Sequence, residues 1–308
     1  MARQRKGLAV SGWLILDKPQ GMTSTKAVTK VRLLYGAAKA GHAGTLDPLA
    51  TGVLPIALGE ATKTVPFVVE GAKTYRFTVR FGAGTDTDDA EGAIVTESAA
   101  RPTTEAIEAM LPRFTGEIAQ VPPRFSALKV DGARAYDLAR DKEEFELEAR
   151  NVSVTRLSLI DRPDADHCVL EAECGKGTYV RSLARDLGRA LGTHGHVAAL
   201  RRTRVGAFGE DAAVTLAALE AAKEGAAESS LLAASLKPVE TALRDIPALA
   251  LSGSDAARLR QGQSVLLRGR DAPIIEGTVY ATSRGMLVAV GEMQRGELRP
   301  KRIFNLPR

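Results

Sequence analysis

The chain has 308 residues, 44% hydrophobic and 26% charged, with a formal net charge of +5. That length fits two domains, or one large domain with an appendage, and the apolar share can fill a sizeable core. The two cysteines exclude a disulfide framework, and no run approaches the ~20 apolar residues of a membrane-spanning helix. The basic N-terminus lacks the apolar region and cleavage site of a secretory signal, so a cytoplasmic location is expected. The positive balance weakly favours a polyanionic partner.

In chain order, Gly12–Leu16 reads as a short buried strand and Asp17–Gly21 as turn chemistry. Thr23 or Ser24 can cap a helix that carries Ala27, Val28, Val31, Leu34 and Tyr35 on one face and stops at Gly36. GHAGTLDPLATG, residues 41–52, holds three glycines and a proline, and is expected to be a loop leading into the apolar strand Val53–Leu58. KTYRFTVRFG, 73–82, alternates as a half-buried strand does. TDTDDAEG, 85–92, fails the EF-hand template and reads as a solvated acidic loop. A helix near 104–112 precedes a proline-bearing extended crossing, and Ala133–Arg140 turns helical. Residues 150–161 and 166–174 can form a hairpin. TYVRSLARDLGRAL, 178–191, is a helix with Arg181, Arg185 and Arg189 on its polar face. HVAALRRTRVGAF, 196–208, is a strand or loop rich in arginine, and the Ala-rich stretch 211–236 gives one or two helices. From Ile246–Pro247 the chain changes to a short helix, SDAARLRQG, and short strands at 264–267, 277–282 and 285–290.

One feature of this pattern is chemically odd. Between Ala40 and Gly59, Asp47 is the only charged residue if His42 is neutral. A carboxylate among apolar neighbours is costly unless a cation pairs with it or a reaction uses it. Arg181, where a strand passes into a helix, could supply that cation. Tyr75 and Tyr179 could sandwich a planar base, and cations around aromatic rings are what single-stranded RNA sites need. Ordinary readings exist beside these. Asp47 before Pro48 fits an Asx turn, Tyr75 an ordinary strand position, Arg181 a solvated helix face, and His42 a loop hydrogen bond. His194 and His196 are a weak metal signal. Residue pattern alone gives a basic α/β protein and names no reaction.

GHAGTLDPLATGVLPIALGEATK closely resembles the signature of TruB-type tRNA pseudouridine synthases. LDKPQGMTS, KTYRFTVRFGAGTDTDDAEG, IAQVPPRFSALKVDGARAYDLAR and GTYVRSLARDLG…HVAALRRTRVGAF resemble further blocks of that family, in family order, over roughly residues 12–210. The resemblance implies an α+β fold: a mixed, mainly antiparallel sheet with flanking helices over 1–245, the helical segment 211–236 included. A small β-rich, PUA-like RNA-binding domain would follow over 246–308. It implies that Asp47 is the catalytic aspartate, that Arg181 pairs with it, and that Tyr75 stacks on the target base. Tyr179, Lys18 and Leu200 would line the pocket, His42 would touch the RNA near the flipped nucleotide, and Arg202 would be among the residues gripping the RNA. The implied reaction converts uridine 55 in the T loop of tRNA to pseudouridine, with no cofactor, no metal and a monomeric enzyme. A guide-RNA-dependent synthase and a tRNA-folding chaperone are the alternatives.

Overall fold

A computed structural model describes residues 7–126, 128–130, 133–141, 143, 145–224, 228–267 and 274–307. The basic lead Met1–Lys6 lies outside the described residues, as do 225–227 within the Ala-rich segment.

The apolar run that starts at Gly12 forms strand β1 (Gly12–Lys18), and it is buried on both faces. Leu14 and Leu16 enter one core, while Trp13 and Ile15 enter another. Asp17 and Lys18 belong to this strand, which corrects the expected turn. Burial of the Lys18 stem and three carbonyl partners for its amine keep the strand going. β2 (Ala40–His42) pairs antiparallel with β3 (Thr51–Leu58), so residues 41 and 42 are strand and the irregular loop runs from Ala43 to Ala50. β4 (Lys73–Phe81) shows the expected alternation of buried and open positions.

Four more strands complete the long part of the sheet: β5 (Gly116–Gln120), β6 (Arg150–Asp161), β7 (His167–Cys174) and β8 (Gly195–Val205). β6 and β7 form the expected hairpin, and the arginine-rich stretch is strand β8. The order is Val214–Thr215, β1, β3, β8, β4, β7, β6, β5, with β2 beside β3. Most pairs are antiparallel. β3 and β8 run parallel, in register at Arg201 with Thr51 and Arg202 with Gly52.

Two helices cover one face. Ser24–Leu34 starts where Thr23 accepts from the Lys26 amide at 3.2 Å, and ends before Gly36, whose φ of +57° suits a residue without Cβ. Val180–Ala190 buries Val180, Leu183, Ala184 and Leu187 against the sheet. The other face of β1 and β3 packs Trp13, Ile15, Val53 and Ala57 against Val239, Leu243, Leu287, Val290 and Phe304.

The last three of those residues belong to the C-terminal part. There, a five-stranded sheet runs in the order Ala248–Ala250, Gly277–Ser283, Met286–Gln294, Glu297–Ile303, Val265–Leu266, with the helix Gly253–Arg260 against it. Glu297–Ile303 and Ala248–Ala250 are strands that sequence pattern did not reveal. The charged ELRPKRI buries only Leu298 of its seven residues.

The acidic segment 85–92 is the main correction. Thr85 and Asp89 are buried, and Asp88 is largely covered. The segment folds over the arginines of the Val180–Ala190 helix. Arg181 is accordingly buried and Arg185 largely covered, and only Arg189 keeps the solvated position expected of that face.

Candidate active site

A cavity of about 440 Å³ opens beside the short parallel contact of β3 and β8. Its wall includes Asp47, Tyr75, Tyr179, Arg181, Leu200 and Arg202. Six of the eight residues singled out from sequence therefore meet at one place. His42 and Lys18 do not line it.

The loop that carries Asp47 is held from below. Its backbone turns tightly, with the Ala50 amide donating to the Asp47 carbonyl at 3.1 Å and Pro48 at the second turn position. Ser24 Oγ accepts from the Leu46 amide at 2.8 Å and donates to the Leu46 carbonyl at 3.0 Å. Fully buried Lys18 donates to the carbonyls of Pro19, Met22 and Pro48 at 2.8, 2.7 and 3.3 Å. Arg202, 1% exposed, donates to the carbonyls of Val53, Gly44 and Thr45 at 2.8, 3.0 and 3.4 Å. A loop rich in glycine offers many unpaired carbonyls, and two buried cations satisfy them. Burial pushes the Lys18 amine down to about 8, with Asp47 opposing that shift.

Asp47 Oδ2 lies 3.0 Å from Arg181 Nε. The Asp47 side chain keeps 37% of its surface open toward the cavity, whereas Arg181 keeps 7%. The carboxylate is thus bonded across the fold rather than in an Asx turn. Removal from bulk water raises its pKa above the ordinary aspartate value, and Arg181 acts against that rise. Arg181 is fixed on all sides. Nη1 donates to the Thr87 carbonyl at 3.0 Å, Nη2 to the Phe125 carbonyl at 2.9 Å, and Asp89 Oδ2 stands 3.6 Å from Nη1. Asp89 is itself set by Thr87 Oγ1 at 2.6 Å and the Glu91 amide at 3.0 Å.

Sequence reasoning missed Asp88, Asp89 and Gln120. The signal was an unmatched pair of arginines four residues apart on a helix, with two adjacent aspartates elsewhere. Arg185 Nη1 meets Asp88 Oδ2 at 3.0 Å. The Gln120 side-chain amide accepts from the Tyr179 amide at 2.8 Å and donates to the Tyr179 carbonyl at 3.2 Å, which sets the turn where that ring enters the wall.

Tyr75 is 9% exposed, and burial raises its hydroxyl pKa, with neighbouring Arg202 opposing. His42 Nδ1 is buried without a partner among the described residues, and burial lowers the ring's pKa. His196 Nδ1 meets the Ala83 carbonyl at 2.7 Å, a structural contact. Among the described residues, no three His, Cys, Asp or Glu side chains group as metal ligands, and no helix is long and apolar enough to cross a membrane.

Sequence profiles of known families match nearly the whole chain. The TruB family pseudouridylate synthase N-terminal domain matches residues 32–180, the tRNA pseudouridylate synthase B C-terminal domain 181–244, and the pseudouridine synthase II TruB C-terminal domain 247–304. Relatives include tRNA pseudouridine synthase B of Bradyrhizobium diazoefficiens, 61% identical over 99% of this chain and 91% of that protein. The protein of the same name from Caulobacter vibrioides is 56% identical over 99% of this chain and its own full length. Among solved structures, a Cbf5–Nop10–Gar1 complex contains a chain with a TM-score of 0.75 and 25% identity, covering 95% of this chain and 84% of that one. Fold and cavity together define the class, a pseudouridine synthase. Within that class, the chain belongs to the TruB family.

Proposed function

We propose that this protein isomerises uridine 55 in the T loop of tRNA to pseudouridine. The relatives that match it end to end carry the name tRNA pseudouridine synthase B. The observation that carries the reading is the ion pair of Asp47 and Arg181 at 3.0 Å on the wall of a nucleotide-sized cavity.

The reaction breaks the N1–C1′ bond, turns the base and joins C5 to C1′. No electrons or phosphates move, so no cofactor is required. Glycoside hydrolysis ordinarily needs two carboxylates, one to protonate the leaving group. Uracil can leave as an anion on its own carbonyls, so one carboxylate suffices. Asp47 opens the reaction either by attack at C1′ or by taking a proton from C2′, and both require its ionised form. Arg181 works against the rise in pKa that burial causes and so favours the ionised form. Leu46, Leu200 and Val180 exclude water that would trap the opened sugar. Tyr75 offers a ring on which the extruded base stacks, offsetting the few kcal/mol that flipping costs.

Lys18 and Arg202 act as positioning residues for the Asp47 loop, and His42 stands near the RNA at its edge. Residues 1–245 form the catalytic domain, and 246–308 form a PUA-like module that grips the RNA by phosphate and shape. The enzyme works as a cytoplasmic monomer without a guide RNA. Its identity to the relatives named tRNA pseudouridine synthase B, 61% against 25% for the chain in the Cbf5 complex, favours that over guide dependence.

Mapping pseudouridine in an unmodified tRNA transcript, with purified protein and no additives, tests the assignment. Modification at position 55 is expected, and its absence defeats the reading. Asp47→Asn is expected to abolish turnover while tRNA affinity stays within about threefold in a gel-shift assay. Arg181→Lys is expected to lower kcat at least about a hundredfold, because a point charge cannot hold Asp47, Thr87 and Phe125 together. Near-normal turnover of either variant contradicts the mechanism.

A further inference from the structure

The helix Val180–Ala190 carries two covered arginines one turn apart, and the mechanism above uses only the first. Arg185 does not line the cavity. Its Nη1 donates to Asp88 Oδ2 at 3.0 Å and its Nη2 to the Val121 carbonyl at 2.7 Å. Asp186 accepts from Nε at 2.8 Å and from Nη2 at 3.1 Å. The Val121 carbonyl accepts also from Ser182 Oγ at 2.8 Å. The Arg185 side chain keeps 12% of its surface open and that of Asp88 13%, so the pair is shielded from water and unlike a loose surface contact.

Arg181 bridges the same two segments further in. It joins Thr87 to Phe125 through their carbonyls, at 3.0 and 2.9 Å, while Arg185 joins Asp88 to Val121. Two guanidiniums thus form successive rungs between segment 87–89 and segment 121–125. Among the described residues, no backbone hydrogen bond connects these segments directly. They are tied to one another through the helix. Asp88 also holds a strained backbone, with a φ of +60° in the left-handed region. Its carbonyl accepts from the Val197 amide at 3.1 Å, so β8 helps to keep that conformation. The fold bears this strain at the residue that presents a carboxylate to the covered arginine.

We propose that Arg185, paired with Asp88, is a positioning residue for the isomerisation: it fixes the two segments whose carbonyls aim Arg181 at Asp47. This inference rests on the uridine isomerase reading given above. Two of the three Arg181 nitrogens are bound to main chain, so the third, Nε, points where those carbonyls allow. Without the outer rung, Thr87 and Phe125 are bridged by Arg181 alone, and its guanidinium follows their motion. A displacement of about 1 Å at a reacting group costs up to about a hundredfold in rate. The planar fork of arginine reaches Asp88 and Val121 at a set separation, which a single ammonium on a flexible stem does not reproduce.

Loss of stability alone would leave the titration of Asp47 untouched, whereas loss of the outer rung would not. Burial raises the Asp47 pKa, and Arg181 opposes that rise. A loosened Arg181 lets the pKa climb, so the acid limb of kcat moves to higher pH. The other charged or titratable groups that act on Asp47 are Asp89 and Glu91 of the acidic segment, Lys18 of β1, Tyr75 of β4 and Tyr179 before the helix. Substitution of Arg185 removes none of these, and Arg185 is not among the principal charges acting on Asp47.

The test measures kcat, KM and the pH dependence of kcat on a T-arm hairpin for Arg185→Met and Asp88→Asn. Each is expected to lower kcat about tenfold with KM within about threefold, and to move the acid limb to higher pH. Because the two residues act as a unit, the double variant is expected to lose no more than the worse single one. Arg189→Met removes the same charge from the solvated end of the helix, and is expected to keep the wild-type kcat and acid limb. A wild-type kcat or an unmoved limb in either single variant, additive losses in the double variant, or an equal shift in Arg189→Met overturns the proposal. Should Arg185→Met fail to fold, isosteric Asp88→Asn decides by the same readouts, since asparagine tolerates the left-handed backbone at that position. Pseudouridine formed by wild type in the same assay keeps the isomerase reading standing even where this inference falls.

Discussion

At the scale of single residues, Asp47 is held in opposed fields. Its neighbours strip it of water, and Arg181 supplies one strong contact in return. Desolvation wins, so its pKa is raised in the folded state. The linkage has a definite sign. The folded protein binds the Asp47 proton more tightly than the unfolded chain, so stability from this site is full at low pH. It is lost as pH rises from the ordinary aspartate value of 3.8 through the raised folded value. Asp47→Asn, neutral at every pH, is therefore expected to melt higher than wild type at pH 7, with the gap closing toward pH 4. Thermal unfolding at the two pH values checks this, and an Asn variant that melts lower at pH 7 contradicts the assigned cause. Trading stability for a charged group in a dry site is the usual pattern of functional residues. That Asp47 was unusual was legible in the sequence, because its neighbours there are apolar. That Asp89 shares its arginine was not, since the partners sit some ninety positions apart and local pattern made 85–92 look solvated.

Among the elements, the Ala43–Ala50 loop depends on one close approach. Gly52, at the start of β3, has a φ of +97°, and a Cβ there would lie 2.2 Å from the Arg202 carbonyl. The parallel contact with β8, which brings Arg202 under the loop, permits no side chain at that point. Gly52→Ala is expected to cost about 1–3 kcal/mol in urea denaturation, from strain in the left-handed region and displacement of β8. It should also lower turnover, because Arg202 carries the Gly44 and Thr45 carbonyls. A variant of wild-type stability and activity would show that β8 is free to move. Helices and long strands were legible from periodicity, as in Ser24–Leu34 and Lys73–Phe81. The end of β1 was misread because Asp17–Lys18–Pro19 has the composition of a turn. Only the three carbonyls waiting for the Lys18 amine make a strand ending there favourable.

For the molecule as a whole, the two sheets share a core. Phe304, 2% exposed near the C-terminus, belongs to the same cluster as Trp13 of β1, and Leu287 and Val290 join it there. Phe304→Ala is expected to destabilise by about 3–5 kcal/mol, the range for a large core truncation. Fluorescence of Trp13, the single tryptophan, reports the transition during urea unfolding. An unchanged midpoint would mean that the C-terminal sheet contributes little to the large one. Sequence pattern suggested a change of character near residue 246 and a β-rich end. It did not show that this end closes the second face of β1 and β3, because an apolar run such as Trp13–Leu16 announces burial on both faces but not what covers either. Local periodicity, turn chemistry and the bare setting of Asp47 were determined by the sequence itself, since each depends on residues a few positions apart. The tertiary structure alone decided that Arg181 reaches Asp47 and that Asp88 and Asp89 neutralise the helix arginines. Those pairings join groups far apart in the chain, and charge and shape become complementary only once the sheet has fixed their register.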